Sequence, residues 1–141
     1  MARAYDWITF DCYGTLVDWE GGITAAFEAA ARAEGKVVAR REVVALHAEI
    51  EPAVQAEAFR PYREVLAITA ERMAPRLGLA LPRGGAFLAE SLARWAPFDD
   101  TNEALGRLVA AGHRLGILSN VDDDLLAGTR ARLDAPFDLV V

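Results

Sequence analysis

Tyr5-Asp6-Trp7-Ile8-Thr9-Phe10-Asp11-Cys12-Tyr13-Gly14-Thr15-Leu16 is the stretch whose reading decides the fold. Trp7, Ile8 and Phe10 make an apolar, β-prone run, and Asp11 follows where a buried strand should leave the core. Gly14 allows a sharp turn, Thr15 adds a hydroxyl, and Leu16 and Val17 return to apolar character. In an open α/β sheet, ligands bind beyond the carboxyl ends of the strands, so this placement points Asp11 into a crevice as a candidate nucleophile. Its alternative reading is a turn or cap aspartate bonded to nearby amides.

Outward from that stretch, the grammar is first helical and then alternating. Gly21-Gly22 reads as a loop opening a helix from about Ile23 to Glu34, stopped by Gly35. A second helical pattern starts near Arg41 and carries Val43, Leu46, Ile50 and Val54, with Pro52 expected to kink or restart it. Pro61 opens a third, with Tyr62, Val65, Leu66, Thr69, Met73 and Leu77 as its stripe and Gly78 as its end. A fourth runs from about Ala86 to Trp95, before Pro97. Asp100 and Glu103 then have capping-box spacing, with Thr101 as a rival cap, for a helix lasting to Gly112. Arg114–Leu118 reads as a buried strand, Asp122–Leu133 as a helix and Phe137–Val141 as another strand. Strand, helix, strand at this spacing implies a parallel sheet with right-handed crossovers.

The composition sets limits on class. At 141 residues and 53% hydrophobic, the chain is globular and long enough for a core. A net charge of -6 argues against nucleic acid as a partner. The single cysteine, Cys12, cannot form an internal disulfide and reads as a small buried side chain. No apolar run approaches the roughly 20 residues of a membrane span, and no secretory leader pattern opens the chain, so no membrane partner and a cytoplasmic location are expected. His47 and His113 lie far apart and suggest no metal site; Asp122-Asp123-Asp124 suits the first turn of a helix, where acids complement the dipole.

Phe10-Asp11-Cys12-Tyr13-Gly14-Thr15-Leu16 resembles the first motif of the haloacid dehalogenase superfamily, and its Asp-x-Tyr-Gly-Thr form resembles the L-2-haloacid dehalogenase branch. Ile117-Leu118-Ser119-Asn120 resembles the second motif. The resemblance implies an α/β fold with a Rossmann-like parallel-sheet core, residues 1–17 and 98–141, and an inserted helical cap, residues 18–97. It implies hydrolytic dehalogenation of short 2-haloalkanoic acids through an aspartyl ester, with Asp11 catalytic, a small anionic substrate and no cofactor.

Substrate contacts are expected from Tyr13, Thr15, Ser119 and Asn120. Ser119 and Asn120 precede a helix whose free amides suit an anion, although either could simply cap it. Thr15 could bond Asp11 or only its turn. Tyr13 stands where phosphatases of the superfamily carry a second Asp. A phenol with ordinary pKa near ~10 is a poor proton donor to an alkoxide, whereas a departing halide needs no proton. Tyr13 also removes a carboxylate that Mg²⁺ would favour. It could instead merely pack under the cap. The alternatives are therefore a Mg²⁺-dependent phosphatase of the same superfamily, or a non-catalytic module binding an anion or a partner. The family's cap arginine has three candidates here, Arg41, Arg60 and Arg63.

Family members continue to a third-motif lysine and fourth-motif acids, which residues 1–141 do not supply; Lys36 is the one lysine and lies in the expected cap. Because the fourth-motif strand lies beside the first strand in that superfamily, the Tyr5–Phe10 strand is expected to present an unpaired apolar edge. The chain is thus expected to be part of a longer enzyme, or to have its sheet completed by a second chain or a homodimer.

Overall fold

The computed structural model describes residues 4–141. In chain order it has β1 (Trp7–Phe10), α1 (Trp19–Ala33), α2 (Arg40–Glu57), α3 (Tyr62–Met73), α4 (Phe87–Ser91), α5 (Thr101–Ala110), β2 (Arg114–Ile117), α6 (Asp123–Arg130) and β3 (Leu139–Val140). The strands form one parallel sheet in the order β1-β2-β3. Register pairs Trp7 with Arg114 and Phe10 with Ile117, so β1 and β2 end side by side. The fold is α/β, with a Rossmann-like parallel sheet and an inserted helical cap. Among the described residues only β2 pairs β1, and the Arg114 guanidinium lies 4.3 Å over the Trp7 ring on that strand.

Two segments carry the chain between sheet and helices, and they run alongside one another. Asp18 donates its amide to Ala96 (2.9 Å), Phe98 donates to Leu16 (3.1 Å), and Val17 and Pro97 form an antiparallel bridge. The helices bury Phe27, Leu66, Met73, Leu88 and Leu92, and the sheet side buries Leu105, Leu115, Ile117 and Leu126 in the same continuous core.

Several boundaries depart from the sequence reading, each for a local reason. Helix α1 starts at Trp19, so Gly21 and Gly22 lie in its first turn and not in a loop. Asp18 caps it by accepting the Gly21 amide at 3.0 Å, and a Cβ on Gly22 would stand 2.3 Å from the Trp95 ring. These glycines permit close approach instead of breaking the helix. Helix α2 runs through Pro52 as one element. The fourth helical segment is five α-helical residues followed by a 3-10 turn, Leu92–Arg94. The Asp100 capping box does not form: Asp100 makes no side-chain cap bond, and the buried Thr101 hydroxyl donates to Leu16 O at 2.8 Å. Helix α6 ends at Arg130, short of Leu133, and β3 is only two residues. Gly78, at φ 69°, ends the third helical segment as expected.

Candidate active site

The loop after β1 is wound around one carbonyl. The amides of Thr15, Leu16 and Val17 all donate to Cys12 O, at 3.2, 2.7 and 3.1 Å, and Gly14 adopts φ 92° to let the chain double back. Cys12 is thereby fully buried, and burial, with the Asp11 charge beside it, pushes its thiol up to about 12, away from nucleophilic use. Asp11 is left exposed at the strand end, where Thr15 Oγ1 donates to its Oδ2 at 3.2 Å.

The end of β2 delivers the second half. Leu118 donates to Phe10 O at 2.9 Å and Ser119 donates to Val141 O at 2.7 Å, continuing the ladder past Ile117. Asp11, Ser119 and Asn120, with Leu118 and Val141, line one cleft of about 310 Å³. Ser119 and Asn120 also line a larger cleft of about 530 Å³, whose far wall is Gln55 and the turn carrying Arg60 and Tyr62.

Tyr13 takes a different direction. Its hydroxyl lies 2.8 Å from Thr129 Oγ1, and its ring meets Trp95 edge-on at 6.0 Å. It lines a separate cavity of about 370 Å³, together with Trp19, His47, Glu51, Tyr62 and Trp95. Burial drives its phenol up to about 12, against a smaller lowering from the Thr129 bond, so it stays protonated at neutral pH.

Of the three candidate arginines, Arg60 alone lines a cleft shared with Ser119 and Asn120, donating to Val54 O at 3.2 Å. Arg63 is paired with Asp122 and Asp124, and Arg41 is exposed.

Sequence reasoning missed two groups. Asp122 does not serve α6 with its side chain; its carboxylate accepts the first two amides of α3, Tyr62 N at 2.9 Å and Arg63 N at 3.0 Å. The loop that carries Ser119 and Asn120 is thus tied to the helix facing them. The second group is a polar cluster on α2. His47 Nε2 lies 2.6 Å from Glu51 Oε2, while Tyr62 Oη and Gln55 Nε2 donate to Glu51 Oε1 at 2.9 and 2.7 Å. Burial by itself would raise the Glu51 pKa, but the combined pull of His47, Tyr62 and Gln55 holds it below the usual carboxylate value. Burial, with the contact to Glu51 added to it, drives the Tyr62 phenol far up. The i,i+4 spacing of His47 and Glu51 was a readable signal, whereas Tyr62 joins them only in space.

Among the described residues no group of three His, Cys, Asp or Glu side chains gathers to hold a metal ion, and no helix is long and apolar enough to cross a membrane.

The family model for haloacid dehalogenase-like hydrolases matches residues 5–140. The structure resembles the L-2-haloacid dehalogenase from Xanthobacter autotrophicus, with TM-score 0.75 and 22% identity over 96% of this chain and 56% of that one. It is similar to a second L-2-haloacid dehalogenase at TM-score 0.74 and 25% identity, covering 94% and 59% of the two chains. A defluorinating L-2-haloacid dehalogenase gives TM-score 0.80 and 22% identity, covering 99% and 60%. No curated protein matches. The chain therefore spans less than two thirds of the length of these solved enzymes. With the β1 loop, the Ser119-Asn120 strand end and the inserted helices all within the matched span, the chain belongs to the haloacid dehalogenase-like hydrolase family.

Proposed function

We propose that the protein bearing these residues hydrolyses the carbon–halogen bond of a 2-haloalkanoic acid, with residues 18–97 acting as the cap over the reacting group. An Asp11 oxygen attacks the halogen-bearing carbon, forming a C–O ester bond as the C–X bond breaks and halide leaves with the electron pair. Water then opens the ester, releasing a 2-hydroxy acid and a proton and restoring the carboxylate. Thr15 fixes the carboxylate's rotation through Oδ2, and Ser119 and Asn120 border the space the substrate carboxylate would occupy. Arg60, on the adjoining wall and 3.6 Å from Glu57 Oε2, would turn from that carboxylate to meet the substrate anion.

The observation that carries this reading is the division of labour between Asp11 and Tyr13. Asp11 opens onto the cleft with Ser119 and Asn120, while the residue two positions on is a phenol turned into Thr129 and held protonated. That arrangement provides a nucleophile with no adjacent acid, which suits a leaving group that departs as an anion. The phosphatase alternative needs a proton donor to the leaving alkoxide at position 13, and a phenol turned into Thr129 and held protonated to about pH 12 is a poor one.

The test is a single turnover of the full-length protein in ¹⁸O-water with a 2-chloro acid. Halide release with ¹⁸O entering the Asp11 carboxylate is expected, and Asp11→Asn should release none while melting within about 0.5 kcal/mol of wild type, because Asp11 is exposed. Phosphate release from phosphomonoesters, with no halide from any 2-halo acid, would overturn it.

A further inference from the structure

The cavity behind Tyr13 is more room than a three-carbon acid uses. At about 370 Å³ it falls within the 300–1,000 Å³ range of pockets for drug-sized ligands, and an apolar void of ~150 Å³ already accepts benzene. Its walls are rings: Tyr13, Trp19, Tyr62 and Trp95, with Ile23 beside them. Tyr62 borders both this cavity and the cleft of about 530 Å³, and Ser119 and Asn120 border both that cleft and the one holding Asp11. Through these common walls the three spaces adjoin one another, with the cleft of about 530 Å³ between the aromatic chamber and the space beside Asp11.

We infer that this chamber receives the non-reacting end of the substrate and that this end is an aryl group, so that the preferred substrates are 2-halo acids bearing a ring. The inference rests on the dehalogenase reading for the reacting end only. A cationic end group is disfavoured by the polar contacts. Glu51, the chamber's carboxylate, accepts from Tyr62 and Gln55 at one oxygen and has His47 Nε2 2.6 Å from the other. The Trp19 face is occupied by the His47 ring, 5.3 Å away. Apart from the buried His47 Nε2, which makes no hydrogen bond, what remains is ring and aliphatic surface, which favours apolar or edge-to-face aromatic contact. Glu51 acts as a positioning residue, since its bond to Tyr62 fixes the ring that stands between chamber and cleft.

Two measurements on the full-length protein test this. The first involves no chemistry: tryptophan fluorescence, in a Trp7→Phe background, is titrated with 3-phenylpropionate and with propionate. The aryl acid should bind at least about tenfold more tightly, since burying a ring is worth that factor or more. Ala48→Phe, which fills the chamber from an exposed position on α2, should erase the preference. The second compares kcat/KM for 2-chloro-3-phenylpropionate and 2-chloropropionate, where a ratio of about ten or more is expected. Equal affinities, or equal kcat/KM for the two chloro acids, overturn the aryl chamber and leave the dehalogenase reading standing. A binding preference lost in Ala48→Phe, with neither chloro acid turned over, keeps the chamber and overturns the dehalogenase. Should Ala48→Phe fail to fold, the wild-type ratios decide by themselves.

Discussion

Asp122→Ala should separate α3 from the loop carrying Ser119 and Asn120, and the size of the effect follows from the contacts. The carboxylate accepts Tyr62 N at 2.9 Å and Arg63 N at 3.0 Å, two of the four amides that a helix start leaves without intrahelical partners. Pro61, in the capping position, offers no side-chain bond to replace them. Losing a helix cap costs ~1 kcal/mol, and a partly buried carboxylate holding two donors lies above that, so the loss should be about 1–3 kcal/mol. The ion pair with exposed Arg63 adds little. At about 3 °C per kcal/mol for a protein of this size class, the melting temperature should fall by roughly 3–9 °C. Asp122→Asn keeps one acceptor oxygen and should recover about half of the loss. Thermal melts followed by circular dichroism measure the total, and hydrogen exchange at the Tyr62 and Arg63 amides localises it. If Asp122→Ala melts within about a degree of wild type, or if those amides exchange no faster, the tie contributes nothing and the reasoning fails.

Other perturbations address the remaining site and core. Tyr13→Phe should cost about 1 kcal/mol for the lost Thr129 bond, and it should leave the pH–rate profile unchanged up to pH ~10, because the phenol sits at about 12; an alkaline limb removed by this change would refute the assignment. Glu51 has a folded pKa below its ordinary 4.5, so its stabilisation is complete above that value and disappears as pH falls from there through the lowered folded value. Glu51→Gln should therefore flatten the acid limb of a stability-against-pH curve below pH ~4.5, and an unchanged limb in urea melts would count against the cluster. Gly85→Ala places a Cβ 2.1 Å from the Ala67 carbonyl oxygen, a backbone atom, and should destabilise by ~1–3 kcal/mol or more, whereas Gly106→Ala, with nothing within 4 Å, should stabilise α5 by ~0.5–1 kcal/mol. Matching urea midpoints for these two variants would show that the close approach is not real.

How far the chain could be read without coordinates depended on the range of the interactions involved. The sequence by itself determined β1, the turn after it, the parallel strand–helix–strand at the C-terminal end and Gly78 as a helix stop, because apolar periodicity and glycine conformations act over a few residues. That Asp11, Ser119 and Asn120 would lie around one cleft was legible for the same reason: each follows a strand within a few residues, and parallel pairing with matched register brings such positions together. Tertiary structure alone decided what each remaining polar group is spent on. Asp122 looks like an α6 acid and serves α3 across 60 positions, Thr101 looks like a cap and closes onto Leu16, and Gly21-Gly22 looks like a loop and is a helix turn packed against Asp18 and Trp95. Tyr13 stands two residues from Asp11 yet opens onto another cavity, since its partner Thr129 comes from α6. A hydrogen bond or a ring contact is set by which surfaces the fold brings within about 3–6 Å, and no periodicity along the chain encodes that distance.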